Sequence, residues 1–108
     1  MIWFECPYLN GHVELTDERE RHIAEAHPDL LPGLGERLAQ TLADPDRIRR
    51  SVRSSRTRLF SRRVIDVRGG KHVVVVVVSD AAPGGRHWII TAYVARRLAE
   101  GRTEWNRG

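Results

Sequence analysis

The apolar positions of this chain follow a helical spacing between about residues 17 and 43 and a strand spacing after residue 47. Leu31, Leu34, Leu38 and Leu42 recur at intervals of three and four, so a helix would gather them into one stripe. The spacing predicts a helix from about Asp29 to Ala43, weakened in its first turn by Gly33 and Gly35 and stopped by Asp44-Pro45-Asp46. An earlier helix is predicted from Thr16 or Asp17 to near His27. Asp17 and Glu20 have capping-box spacing, acids crowd the first turn, and Pro28 pushes the residue before it away from α geometry. Ahead of it, Met1–Phe4 reads as an edge strand, Cys6–Gly11 as a loop turning at Asn10-Gly11, and His12–Leu15 as a short strand.

After Asp46 the pattern is that of β-structure. Ile48–Val52 reads as a strand or extended lead-in. Arg58–Val67 reads as a strand joined through a Gly69-Gly70 turn to His72–Ser79. Ala81–Arg86 is a loop, His87–Val94 a third strand, and Arg96–Glu100 a short final helix stopped by Gly101. The order predicts an α+β domain, with N-terminal helices packed on one face of an antiparallel β-meander. Six successive valines, Val73–Val78, leave neither face of the middle strand polar, so both faces need cover. Helices supply one cover. A dimer partner, the N-terminal segment or a ligand-filled concavity supplies the other.

Alternation sorts the side chains. In the last strand Trp88, Ile90, Ala92 and Val94 share the expected core face, and His87, Ile89, Thr91 and Tyr93 the other. In the first hairpin strand Phe60, Arg62, Val64 and Asp66 share a face, opposite Leu59, Ile65 and Val67. If the polar faces coincide, Arg62, Thr91 and Tyr93 line one surface with His87 near its rim. Thr and Tyr are also good strand formers, which is the plainer reason for their presence.

Charge is as unevenly placed as the apolar residues. Residues 47–68 hold nine arginines and one acid, whereas residues 1–46 hold ten acids and three arginines. Arginine outnumbers lysine seventeen to one, and its planar fork holds phosphate oxygens bidentately. GC-rich coding would also raise arginine, but would not cluster it. The block predicts a phosphate-binding surface for a nucleic acid or other polyanion, with Arg49, Arg50, Arg53, Arg56 and Arg58 as contacts to its phosphate backbone.

With 108 residues, 41% hydrophobic and 30% charged, the chain reads as one globular domain: a core over residues 13–105 with residues 1–12 as an N-terminal extension. The lone Cys6 excludes an internal disulfide or a multi-cysteine zinc site. The five histidines are scattered, none at i,i+4 to another, and no Walker, dinucleotide or nucleophile-elbow motif is present. No metal and no cofactor is therefore expected. Acids in residues 1–20 argue against a signal peptide, and the valine run is too short to span a bilayer. A cytoplasmic protein without membrane attachment is the expectation.

One ordered set of segments resembles a known family. His22-Ile23-Ala24-Glu25-Ala26-His27-Pro28-Asp29 is followed by Asp44-Pro45-Asp46-Arg47-Ile48 and an arginine-rich strand, then Trp88-Ile89-Ile90-Thr91-Ala92-Tyr93 and a Gly101–Trp105 tail. This order resembles a phage- and mobile-element-associated branch of the barnase–EndoU–colicin–RelE-like nuclease superfamily, over roughly Val13 to Trp105. Asp29 stands where that branch would have Glu. The resemblance implies a barnase/RelE-like fold with helices on one sheet face and RNA on the other. It also implies metal-independent endoribonuclease activity, in a toxin or mobile-element effector countered by a cognate antitoxin or immunity protein.

Such cleavage needs a base for the 2′-OH, an acid for the leaving 5′-oxygen and a cation for the phosphorane. Matched to the motifs, His22 and His27 are the acid/base candidates, Arg62 the phosphate clamp, and Thr91 and Tyr93 the substrate-positioning groups. On one continuous helix His22 and His27 lie about 140° apart, so their convergence depends on the Pro28 break. A histidine at a helix end is more commonly a cap or core-edge donor. The competing reading is a non-catalytic RNA-binding or protein-interaction module of the same fold.

Overall fold

The computed structural model describes residues 1–65, 72–98 and 101–108. Asn10 takes the left-handed conformation (φ 54°) after a 3-10 turn over Pro7–Leu9 and returns the chain, a backbone region that Asn tolerates. Strands β1 (Ile2–Cys6) and β2 (Gly11–Leu15) thereby pair as an antiparallel hairpin. Residues 1–12, expected as an extension, so supply an edge strand that puts Phe4 and Cys6 in the core. Helix α1 (Asp17–Ala26) is capped by Thr16, whose hydroxyl accepts from the Arg19 amide at 3.2 Å.

His27 ends α1, and Pro28–Leu30 forms one 3-10 turn. Helix α2 spans Leu34–Ala43, starting five residues later than the leucine stripe predicts. Pro32 has no N–H to donate, and Gly33 sits at φ 88°; a helix interior accommodates neither. Leu30 consequently takes the buried place, and Leu31 is exposed.

The remaining strands are β3 (Arg47–Arg50), β4 (Thr57–Arg63), β5 (His72–Ser79), β6 (His87–Ala95) and β7 (Arg102–Asn106). They join the hairpin in one seven-stranded sheet ordered β1-β2-β6-β5-β4-β3-β7. The protein is α+β, as expected, but its sheet is mixed. The antiparallel meander runs from β3 to β6, β2 meets β6 in parallel only at Glu14–Trp88, and β7 adds to β3. The expected helix at Arg96–Glu100 is not found over Arg96–Leu98, and the tail after it is a strand. Gly69-Gly70 and the end of the predicted Arg58–Val67 strand lie outside the described residues. No helix among the described residues is long and apolar enough to cross a membrane.

Helix α2 packs against β1, β4 and β5, and α1 against β6. Leu38, Leu42, Ile23 and Leu30 are fully buried against Phe60 and the valines Val73, Val75 and Val77, each such side chain contributing about 1.5–3 kcal/mol. On the other face Val74 is 0% and Val76 8% exposed, so this single chain supplies the second cover. Neither β1, whose Phe4 and Cys6 lie on the helix side, nor a second copy is required for it. The connection from β6 to β7 is six residues long and joins strands that β5, β4 and β3 separate in the sheet order. Its last residue, Gly101 (φ 90°), lies against buried Arg49, where a Cβ would come within 3.1 Å of the Arg49 Cβ.

Two expected face assignments are corrected. Val76 pairs with Thr91 but Val77 with Ile89, which leaves Ile90 as a bulge and inverts the alternation before it. Ile89 is therefore in the core with Ala92, while Trp88 shares the outer face with Thr91 and Tyr93. The bulged Ile90 carbonyl accepts from Arg19 of α1 at 3.4 Å. In β4, Phe60 is a core residue, so Arg62 lies with it on the helix side, opposite Val73. Arg62 and the Thr91/Tyr93 pair occupy opposite faces.

Candidate nucleic-acid interface

Strand register turns the outer face into rows of neighbours. One row reads Asn106, Arg47, Ser61, Val74, Tyr93; the next reads Thr103, Arg49, Leu59, Val76, Thr91. A third places Arg63 directly opposite His72, with Ala95 beyond. Cross-strand partners stand about 4.5–5.5 Å apart and diagonal ones about 7–8 Å, so His72 has Arg63 beside it and Tyr93 diagonal to it. Where β2 diverges from β6, the end of α1 brings the His27 ring to 6.1 Å from Tyr93, inclined by 45°. His27, Tyr93, Thr91, His72, Arg63 and Arg47 thus form one neighbourhood.

Half-burial pushes the His72 imidazole below its ordinary value, and Arg63, Arg47 and Arg49 push it the same way against the opposing charge of Asp46. It is a neutral base at physiological pH, surrounded by cations. An anion arriving there would meet guanidinium groups first and would then raise the basicity of the imidazole.

The arginine block does not form one free surface. Burial pushes the Glu104 carboxyl up, but bonds from Arg50 (2.6 Å), Tyr8 (2.6 Å) and Arg58 (2.8 Å) outweigh it and hold it at about 2. Arg62 donates to the Asp44 carbonyl at 2.7 Å and carboxylate at 3.0 Å. Arg107 and Arg62 together hold the Asp44 carboxyl below the usual range. Arg49 is buried. Arg53 and Arg56 stand exposed on the loop between β3 and β4. Their side chains, like those of Arg47 and Arg63, make no hydrogen bond or ion pair among the described residues.

Of the sequence candidates, His27, Thr91 and Tyr93 come together. His22 is exposed on α1 and makes no hydrogen bond or ring contact among the described residues, and Arg62 serves the Asp44 cluster. Sequence reasoning overlooked His72, Arg47 and Arg63. His72 shares the parity of Val74, and so was assignable to a face, but its arginine neighbours depend on hairpin register. A separate ion pair closes the β2–β6 junction: Arg86 holds the buried Glu14 with two 2.8 Å bonds, which lower its pKa, and lies 5.8 Å over Trp88. Among the described residues no group of three or more His, Cys, Asp or Glu could hold a metal ion. Comparison with family models, with curated proteins and with solved structures finds no match for this chain.

Proposed function

We propose that this domain binds RNA along the outer sheet face and cleaves it as a metal-independent endoribonuclease of barnase/RelE-like type. The contact between His27 and Tyr93, beside Thr91, carries this reading. That contact sets an imidazole beside a strand face that also holds His72 and the arginines Arg63 and Arg47. In this scheme His27 and His72 are the acid/base candidates, Arg63 and Arg47 meet the phosphate, and Tyr93 and Thr91 position the nucleotide. Attack of the 2′-oxygen on the adjacent phosphorus expels the 5′-oxygen, which takes a proton, and leaves a 2′,3′-cyclic phosphate.

The test is cleavage of single-stranded RNA by wild type, His27→Ala, His72→Ala, Tyr93→Phe and His22→Ala purified side by side. Wild type should cut in EDTA and leave the cyclic end. Loss of a proton-transferring histidine should slow the reaction by about 10²–10⁴, with His22→Ala close to wild type. Equal cutting by all, or none by wild type, rejects the enzyme. A ring contact of this kind is also ordinary helix-to-strand packing. Salt-sensitive binding without cleavage would identify a non-catalytic RNA-binding module.

A further inference from the structure

We propose that the cleft beside the β3–β4 loop and the start of β7, lined by Arg50, Ser51, Val52, Ser55 and Arg102, is a phosphate-binding subsite. Register sets Arg102, Arg50 and Arg58 side by side on three adjacent strands. Like charges directly opposite one another destabilise a sheet, so this row needs anions. Glu104 is the anion present, and its two oxygens are taken by Arg50 and Arg58, with Tyr8 as a third donor. The Arg102 side chain is exposed and makes no hydrogen bond or ion pair among the described residues. Three cations against one carboxylate leave an excess of two positive charges.

The cleft beside that excess has a volume of about 330 Å³, the lower end of ligand-cleft sizes. Its donors are held in place. Arg50 is fixed through Nε to Glu104 and through Nη1 to the Ser55 carbonyl, which leaves Nη2 without a hydrogen bond among the described residues. The Ser51 hydroxyl accepts from the Arg53 amide at 3.1 Å, so its own proton is free to donate. The loop is pinned by Ser51 N–H to the Thr57 carbonyl (2.9 Å) and by Thr57 to the Ser54 hydroxyl (2.9 Å). Gly101 lets β7 begin against Arg50: a Cβ there would lie 2.9 Å from the Arg50 carbonyl oxygen. Guanidinium forks and hydroxyls, with no carboxylate among the described residues that line the cleft, suit a tetrahedral dianion better than a carboxylate ligand.

That the phosphate belongs to RNA rests on the proposed function; the anion site itself does not. Inorganic phosphate titrated calorimetrically into wild type at low salt should bind, sulfate should compete, and chloride at matched ionic strength should not. Arg102→Gln, a surface change, should weaken phosphate at least tenfold, while Arg21→Gln, at an exposed arginine on α1, should leave it unchanged. Wild type that fails to bind phosphate, or Arg102→Gln that binds it equally, overturns the subsite. Oligoribonucleotides with and without a 5′-phosphate then separate the sources. A preference for the 5′-phosphate that Arg102→Gln abolishes assigns a terminal monoester, and an equal Arg102→Gln loss for both assigns an internal diester. Phosphate binding sensitive to Arg102 without RNA binding would sustain the subsite and reject the RNA reading.

Discussion

Replacing Glu104 by Gln should destabilise the fold in a pH-dependent way. The carboxylate joins the N-terminal turn at Tyr8 to β3, β4 and β7, and it is four-fifths removed from solvent. Its pKa of about 2, against an ordinary 4.5, corresponds to roughly 3 kcal/mol at about 1.4 kcal/mol per pKa unit, and about 2–3 after solvent screening. Because the folded pKa is depressed, this stabilisation is fully present above pH 4.5 and is lost as pH falls toward 2. Gln keeps the shape but not the charge, leaving Arg50 and Arg58 uncompensated. Urea unfolding of both proteins, followed by tryptophan fluorescence, should give a gap of about 2–3 kcal/mol at pH 7. By the same linkage relation the gap should shrink by roughly 40% at pH 3.5. A gap under about 1 kcal/mol at pH 7, or one constant between the two pH values, would refute the charge argument.

Gly101→Ala should cost about 1–3 kcal/mol, because φ is +90° there and the added methyl meets the Arg50 carbonyl oxygen at 2.9 Å; thermal unfolding checks it, and an unchanged midpoint would show that β7 can shift away. His72, followed by its ring-proton NMR shift, should titrate below 6.5, since burial and then Arg63 lower it. Its neutral form therefore stabilises the fold above pH 6.5, and that contribution falls as pH drops through the folded value. Arg63→Ala should move the midpoint partway up, and a wild-type midpoint at or above 6.5 would contradict the placement of His72.

Locally determined features were legible in the sequence. The β5 limits, His72–Ser79, match the prediction because valine run, preceding glycines and following loop all mark them. The end of α1 before Pro28 and the end of α2 at Ala43 follow from single-residue backbone chemistry. The α2 start was missed for a local reason, Pro32 and Gly33, whereas the failures in the sheet have one physical source, pairing between residues distant in sequence. Arg102-Thr-Glu-Trp-Asn106 has no alternating apolar pattern, and it becomes β7 because β3 offers it an edge. The Ile90 bulge likewise depends on how β6 meets β5, and it moved Trp88 and Ile89 to faces that simple alternation denied them.

The same long-range pairing decides where the arginine charge goes. Read along the chain, residues 47–63 form one basic block; read across the sheet, it divides by face. Arg50, Arg58 and Arg62 turn to the helix side, where they pair with Glu104 and Asp44 at the sheet margin. Arg47 and Arg63 turn to the outer side, toward His72. Three basic residues on the helix side thus bind the C-terminal tail and the end of α2 into the fold, an architectural use of charge. The positive potential left for a polyanion is narrower than composition implies. Among the described residues of this block and its β7 neighbour, it lies at the His72 end of the outer face, on the Arg53–Arg56 loop and at the Arg102 cleft. RNA bound by this domain would therefore depend on few arginines, and substituting Arg63 or Arg102 should matter more than substituting Arg58 or Arg62, whose loss would first weaken the fold.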